Sequence, residues 1–277
     1  MVTLTTLVDN HASANSGLES EHGFSCFVEA GSVRILFDTG KSDAFMRNAQ
    51  SLGVDLSRIN HIVISHGHYD HGGGLLPLLE RYSYQSLSLW TGKGFEYPKY
   101  ADEADGMRFL GTQFNTSNIN DHGIMWHTVC GDTVMIHPGI WLIGNFDQIH
   151  PIEKPNPRFV LDRGSGKVLD TFADEIALVV DTPKGLLLLV GCSHPGILNI
   201  VDSVRSRFSK PIYALLGGIH LYDASRERRD AVVKDLSERS IPRLGVSHCT
   251  GDEAEALLAQ ACPGYFQNMV GTVTTIE

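Results

Sequence analysis

The sequence predicts an α/β fold of the αββα type, two sheets packed face to face with helices outside. Three observations lead to it: short strands dominate the first third of the 277 residues, strands and helices alternate through the last third, and a less regular segment separates them. In the first third, β-rich runs at 3–8, 24–28 and 33–37 stand between Gly and polar residues at hairpin-like spacing, which predicts antiparallel strands. A helix is expected over 42–52, where Ala44, Phe45 and Leu52 are apolar among polar positions. The Ile62-Val63-Ile64 run within 61–64 suits a strand covered on both faces. Residues 97–131, rich in Asn, Asp, Gly and Thr, are expected as loops and short hairpins placed to cover a pocket. Beyond them the pattern predicts strands at 176–181, 186–190, 212–216 and 244–247, with helices near 197–207 and 225–239 and one from Asp252. With no internal repeat or low-complexity tract, residues 1–277 are expected to form one domain.

Composition narrows the function. A hydrophobic fraction of 42% with 19% charged residues is that of a globular protein with a sizeable core, not of a disordered chain. The net charge of −10, from 22 Lys and Arg against 32 Asp and Glu, disfavours an unspecific grip on nucleic acid. The first ten residues lack a basic leader and read as a strand, and the longest apolar run, 185–190, is far too short to span a bilayer. Five cysteines, odd in number and without a CxxC pair, argue against a disulfide framework and against a structural zinc knuckle. A cytoplasmic protein acting on a small molecule is expected, with neither membrane nor nucleic acid as partner and with the oligomeric state left open.

The chemistry concentrates in Ser65-His66-Gly67-His68-Tyr69-Asp70-His71-Gly72-Gly73-Gly74, directly after the buried-looking strand. Active residues of layered α/β folds sit at such strand ends. His66 and His68, two apart on an extended loop, can point the same way, while Asp70 and His71 follow as the chain turns. Imidazole and carboxylate donors suit Zn²⁺, Fe or Mn²⁺, and without a matching cysteine set they indicate a catalytic site with open positions. Three later segments each place a histidine after an apolar strand: Gly191-Cys192-Ser193-His194, Gly217-Gly218-Ile219-His220 and Ser247-His248-Cys249-Thr250-Gly251. A lone histidine at a strand end is ordinarily a satisfied polar residue; here each has company.

An HxHxDH pattern after an apolar strand is the signature of the metallo-β-lactamase superfamily, and residues 66–71 resemble it without departure. The resemblance implies an αββα sandwich of two mixed sheets and a cofactor of two divalent metal ions, zinc first, with manganese or iron as alternatives. It implies that His66 and His68 bind the first ion and that Asp70 and His71 bind the second, with Asp70 as the catalytic residue and His248 as the last ligand. The superfamily usually has a further histidine before the 186–190 strand, where this chain offers Asp174 and Glu175 instead. His194 is therefore taken as the sixth ligand, with Cys192 as its rival. Asp38, in Phe37-Asp38-Thr39-Gly40, resembles the aspartate that orients a ligand histidine from behind; the other reading is a turn residue.

Asp9-Asn10, Glu21-His22-Gly23, Leu36 to Gly40, Gly191 to Gly196, Gly217 to Leu221 and His248 to Gly251 are together similar to one branch of the superfamily. That branch is named for 7,8-dihydropterin-6-methyl-4-(β-D-ribofuranosyl)-aminobenzene 5′-phosphate synthase. The likeness implies a phosphate- or diphosphate-bearing small-molecule substrate, pterin-related, and either hydrolysis or diphosphate-releasing transfer. His22 and His220 are the expected substrate contacts. The competing class is a redox or sensor protein that binds metal on the same fold without hydrolysis; in flavodiiron members a glutamate stands where this chain has His68.

Overall fold

A computed structural model describes residues 1–120 and 122–277. The chain opens as an antiparallel meander of β1 (Val2–Val8), β2 (Ser25–Ala30) and β3 (Val33–Phe37). Ala30 pairs with Val33, so the β2–β3 hairpin has the two-residue loop Gly31-Ser32, and Gly31 takes the φ of +62° that such a turn needs. The crossover helix α1 (Ala44–Leu52) then returns the chain to β4 (His61–Val63), parallel to β3. After the short α2 (Tyr69–Gly72) and α3 (Leu75–Arg81) comes β5 (Ser88–Gly92), parallel to β4. The middle of the chain holds β6 (Lys99–Glu103), β7 (Gly106–Phe109), α4 (Thr116–Asn120), β8 (Met125–Val129), β9 (Thr133–His137), β10 (Ile140–Ile143), β11 (Phe159–Asp162) and β12 (Lys167–Leu169). The last part runs β13 (Ala177–Thr182), β14 (Gly185–Val190), α5 (Ile197–Arg207), β15 (Ile212–Gly217), α6 (Arg226–Arg239), β16 (Arg243–Val246), α7 (Asp252–Ala261) and β17 (Val273–Ile276).

Two mixed sheets make the sandwich, ordered β17-β1-β2-β3-β4-β5-β8 and β16-β15-β14-β13-β10-β9. Strand periodicity explains the unbroken apolar run of β14. Leu187 and Leu189 pack into the core between the sheets, with Leu4, Val28 and Ile35 from the other side. Leu186, Leu188 and Val190 point the opposite way and pack with Ile197, Val201 and Val232 of α5 and α6. A strand buried on both faces must be apolar at every position. The corresponding outer layer of the first sheet, with Phe45, Leu75 and Leu78, lies under α1 and α3. Among the described residues no helix is long and apolar enough to cross a membrane.

Beside the two expected sheets lies a third, ordered β12-β11-β6-β7. It is docked on the histidine loop: Tyr69 N–H donates to the Leu110 carbonyl at 2.8 Å, and His68 pairs with Gly111 in an isolated bridge. Residues 132–169, where the pattern predicts no element, supply half of this sheet. The obscurity of β12 has a physical cause, since all its residues are exposed and Lys-Val-Leu shows no apolar alternation.

The same sheet anchors the site through a buried charge. Lys99 Nζ donates to Asp170 Oδ2 at 2.6 Å and Asp174 Oδ1 at 2.9 Å, with all three side chains almost wholly buried. Removing one partner of a buried ion pair leaves uncompensated charge, at a cost of about 3–5 kcal/mol. Lys99→Met is therefore expected to lower the unfolding free energy by about 3–5 kcal/mol in denaturant titration; a loss below about 1 kcal/mol, the range of exposed pairs, would show that this triad does not brace the fold.

Candidate metal centre

Every candidate ligand sits just beyond the C-terminal end of a parallel strand. Asp38 follows β3, His66 to His71 follow β4, and Cys192 with His194, His220 and His248 follow β14, β15 and β16. The loops turn sharply there. Asp38, Ser193, His220 and His248 have φ of +57°, +60°, +44° and +56°, half of the eight non-glycine residues with positive φ among the described residues. Such conformations persist where the surroundings over-determine them, and they cluster at functional sites. Gly191 closes the gap between the sheets, for a Cβ there would stand 2.1 Å from Ser65 Oγ.

The loops bring together His66, His68, His71, His194, His220 and His248, none more than 6% exposed. His66 Nε2 and His68 Nδ1 are 3.0 Å apart, and the His194 ring lies 4.9 and 5.1 Å from theirs. Candidate donor atoms of His66, Cys192 and His194 fall within 4.8 Å of one another, as do those of His71, Cys192 and His248. His194 and Cys192 are thus not spatial alternatives, for Cys192 stands between the two groups, its Sγ 3.1 Å from His71 Nε2. Asp70 Oδ2 belongs to the second group, 3.5 Å from His248 Nε2 and 3.7 Å from His71 Nε2.

Residues behind the ligands set their tautomers. Asp38 accepts the Ser65 backbone N–H at 2.7 Å through Oδ1, while Oδ2 accepts the Ser65 hydroxyl at 2.8 Å and His71 Nδ1–H at 2.7 Å. Since its hydroxyl hydrogen is committed to Asp38, Ser65 Oγ accepts from His66 Nδ1 at 3.0 Å. Asn10 Oδ1 accepts from His248 Nδ1 at 3.0 Å. Each arrangement leaves Nε2 unprotonated and facing the cluster, which is how metal-ligating imidazoles are prepared. The aspartate reading of Asp38 thus has its hydrogen bond to His71, and the turn reading is compatible with it.

Electrostatics favour neutral donors except at His71, where burial is outweighed by the Asp38 and Asp70 carboxylates, which raise it above the ordinary imidazole range. Burial, reinforced by neighbouring histidines, pushes His66 and His194 well below the ordinary imidazole range. Burial also lowers His68 well below that range, and lowers His248 to about 4. Burial opposes charge on Asp70, yet His71, His22 and His248 together hold its carboxyl well below the usual range. The buried Nε2 atoms of His194 and His248 lack a hydrogen-bond partner, as do both ring nitrogens of His220. An unsatisfied buried polar atom costs about 1–3 kcal/mol, so this donor set fits a divalent cation that several nitrogens, a carboxylate and a thiolate can share.

The two expected substrate contacts differ. His220 lies in the pocket, its ring 4.2 Å from that of His194. His22 stands at the mouth, half exposed, with Nε2 3.2 Å from Asp70 Oδ2. Sequence reasoning missed the roles of Asp174 and Glu175. Asp174 accepts Gly67 N–H at 2.8 Å between His66 and His68, and Glu175 accepts the N–H groups of Ser193 and His194 at 2.5 and 2.8 Å. The available signal was a pair of acids directly before an apolar strand, where water-exposed positions would not be expected.

Residues 21–111 match the family described as Metallo-beta-lactamase superfamily. The chain is 30% identical, over 97% of its length and 94% of the relative's, to the 7,8-dihydropterin-6-methyl-4-(beta-D-ribofuranosyl)-aminobenzene-5'-phosphate synthase of Methanocaldococcus jannaschii. The chain belongs to the metallo-beta-lactamase superfamily, in this synthase's branch. Membership implies a divalent metal at the site just described. Tm1679, a metal-dependent hydrolase of the same superfamily, has a crystal structure that matches at a TM-score of 0.86 and 32% identity, covering 100% of this chain and 99% of that one. A diphosphatase from the PhnP family shares the superfamily fold at a TM-score of 0.58 and 14% identity, over 100% of this chain and 98% of that one.

Because outer partners of metal-ligating histidines are worth about 10–100-fold in affinity, Asp38→Asn is expected to weaken zinc binding by about that factor. Competition with a chromophoric chelator reads it directly. Wild-type affinity in Asp38→Asn would mean that Asp38 only shapes its turn.

Proposed function

We propose that this protein is an enzyme with a dinuclear metal site that acts on a phosphate- or diphosphate-bearing small molecule, pterin-related in class. The observation that carries the reading is the pair of donor groups, His66–Cys192–His194 and His71–Cys192–His248, that share one thiol. His66, His68 and His194 would hold one ion, Asp70, His71 and His248 the other, with Cys192 between. The synthase relative supports a phosphorylated pterin-type substrate and the hydrolase relative supports metal-dependent chemistry. Hydrolysis and diphosphate-releasing transfer use the same apparatus.

Bound divalent ions supply Lewis acidity toward phosphate oxygens and toward an attacking water. The protein's own groups do the rest. Asp70, held ionised, is the buried anion of the site, and its Oδ2 faces His22 Nε2 at 3.2 Å. His22, half exposed while touching that carboxylate, can offer a ring nitrogen to a substrate at the pocket mouth. His220, neutral because burial drops it to about 3, offers an N–H donor or an acceptor to a substrate oxygen. Phe159 and Leu110 of the third sheet line the pocket and keep bulk water from it.

Two substrates test this: a generic phosphodiester and a pterin diphosphate offered with an aryl amine. Turnover is expected to vanish on chelation and to return with Zn²⁺, Mn²⁺ or Fe²⁺. Asp70→Ala should keep the fold, lose metal, and lose more turnover than the roughly 100-fold limit typical of outer partners. Full turnover and metal content in Asp70→Ala would remove Asp70 from the site, and the absence of metal-dependent phosphate chemistry on either substrate would sink the function.

A further inference from the structure

The metal pocket opens to solvent beneath the third sheet, where two arginines of that cover stand at its mouth. Arg108 lies in β7 and Arg158 directly precedes β11; both line a cavity of about 50 Å³ together with His22, Asp70, His220 and Tyr222. One carboxylate braces them. Glu103 Oε1 accepts Arg108 Nε at 3.0 Å and Arg158 Nη2 at 2.6 Å. Arg158 Nη1 also donates to the Tyr222 hydroxyl at 3.2 Å, with Asp223 3.8 Å away. Arg108 commits its Nε to Glu103, and its side chain is half exposed.

A chain of net charge −10 that binds an anion needs a local positive field at the entrance. Among the described residues, Asp70 is the one acid that lines this cavity, and these arginines are its two permanent cations. We propose that Arg108 and Arg158 form a clamp for a phosphomonoester, the terminal phosphate of the substrate, leaving the histidine cluster to face a different group of the same molecule. The clamp rests on the reading of a phosphate-bearing substrate. Glu103 holds the two guanidiniums side by side before the substrate arrives. A phosphate dianion then out-competes it, offering more charge and more acceptor oxygens to planar forks of N–H donors.

The test is calorimetric titration of ribose 5-phosphate into the zinc-loaded full chain, with ribose as the phosphate-free control. Saturable binding of ribose 5-phosphate to wild type is expected, weakened about tenfold in Arg108→Gln and further in Arg108→Gln/Arg158→Gln, with metal content unchanged. Glu103→Gln removes the competing carboxylate and is expected to tighten binding; a merely structural bracket predicts no gain. Four outcomes overturn the clamp: no binding to wild type, wild-type affinity in the double variant, loss of metal in the arginine variants, or no tightening in Glu103→Gln. The titration reads no turnover, so a failure of phosphate chemistry would remove the proposed function while a clamp measured this way would stand.

Discussion

Six imidazoles packed out of water at one seam impose the constraint on which the rest of the structure depends. Burial drives five of them toward the neutral form, while the carboxylates of Asp38 and Asp70 raise His71, and each needs partners for two ring nitrogens. The protein supplies partners on one side only. Asp38, Ser65 and Asn10 take the Nδ1 hydrogens of His71, His66 and His248, and the Nε2 atoms converge on Cys192 and Asp70. A cluster built this way is costly while its inward nitrogens are unpaired, and a cation repays that cost. Metal affinity and folding stability are therefore coupled through the same atoms.

The fold exists to make that convergence possible. Three parallel pairings, β3 with β4 in one sheet and β14 with β15 and β15 with β16 in the other, end at the same edge of the sandwich. Gly191 lets the two edges approach within reach of Ser65, and left-handed residues turn the loops inward. Buried acids then fix the backbone from beneath, Asp174 under the histidine loop and Glu175 under the loop after β14. Lys99 ties the first of these acids to the third sheet, so the cover and the ligand loop share one anchor.

Much of this was legible in the sequence. The HxHxDH run and the histidines after apolar strands each point to one strand end, because period-2 burial and a sharp turn leave a clear local pattern. Helix α5 was read with the bounds it has in the structure, Ile197–Arg207. The third sheet is legible only in part: the β6–β7 hairpin falls within 97–131, where short hairpins are expected, whereas β12 buries no face and carries no alternation. The choice between His194 and Cys192 was posed as a rivalry because spacing alone gives two residues from one loop a single place. In three dimensions the positive φ of Ser193 lets both side chains face the cluster. The sequence marks Asp174 and Glu175 only as a pair of acids before an apolar strand, and which backbone N–H groups they accept from depends on loops distant in sequence.

The central claim is that two ions share this cluster through Cys192. Anomalous diffraction from crystals of the zinc-loaded protein tests it most directly. The account predicts two peaks per chain, one against His66, His68 and His194 and one against Asp70, His71 and His248, with Cys192 Sγ near the roughly 2.3 Å of a zinc–sulfur bond from both. A single peak, or two peaks with Cys192 outside bonding distance of each, would contradict it.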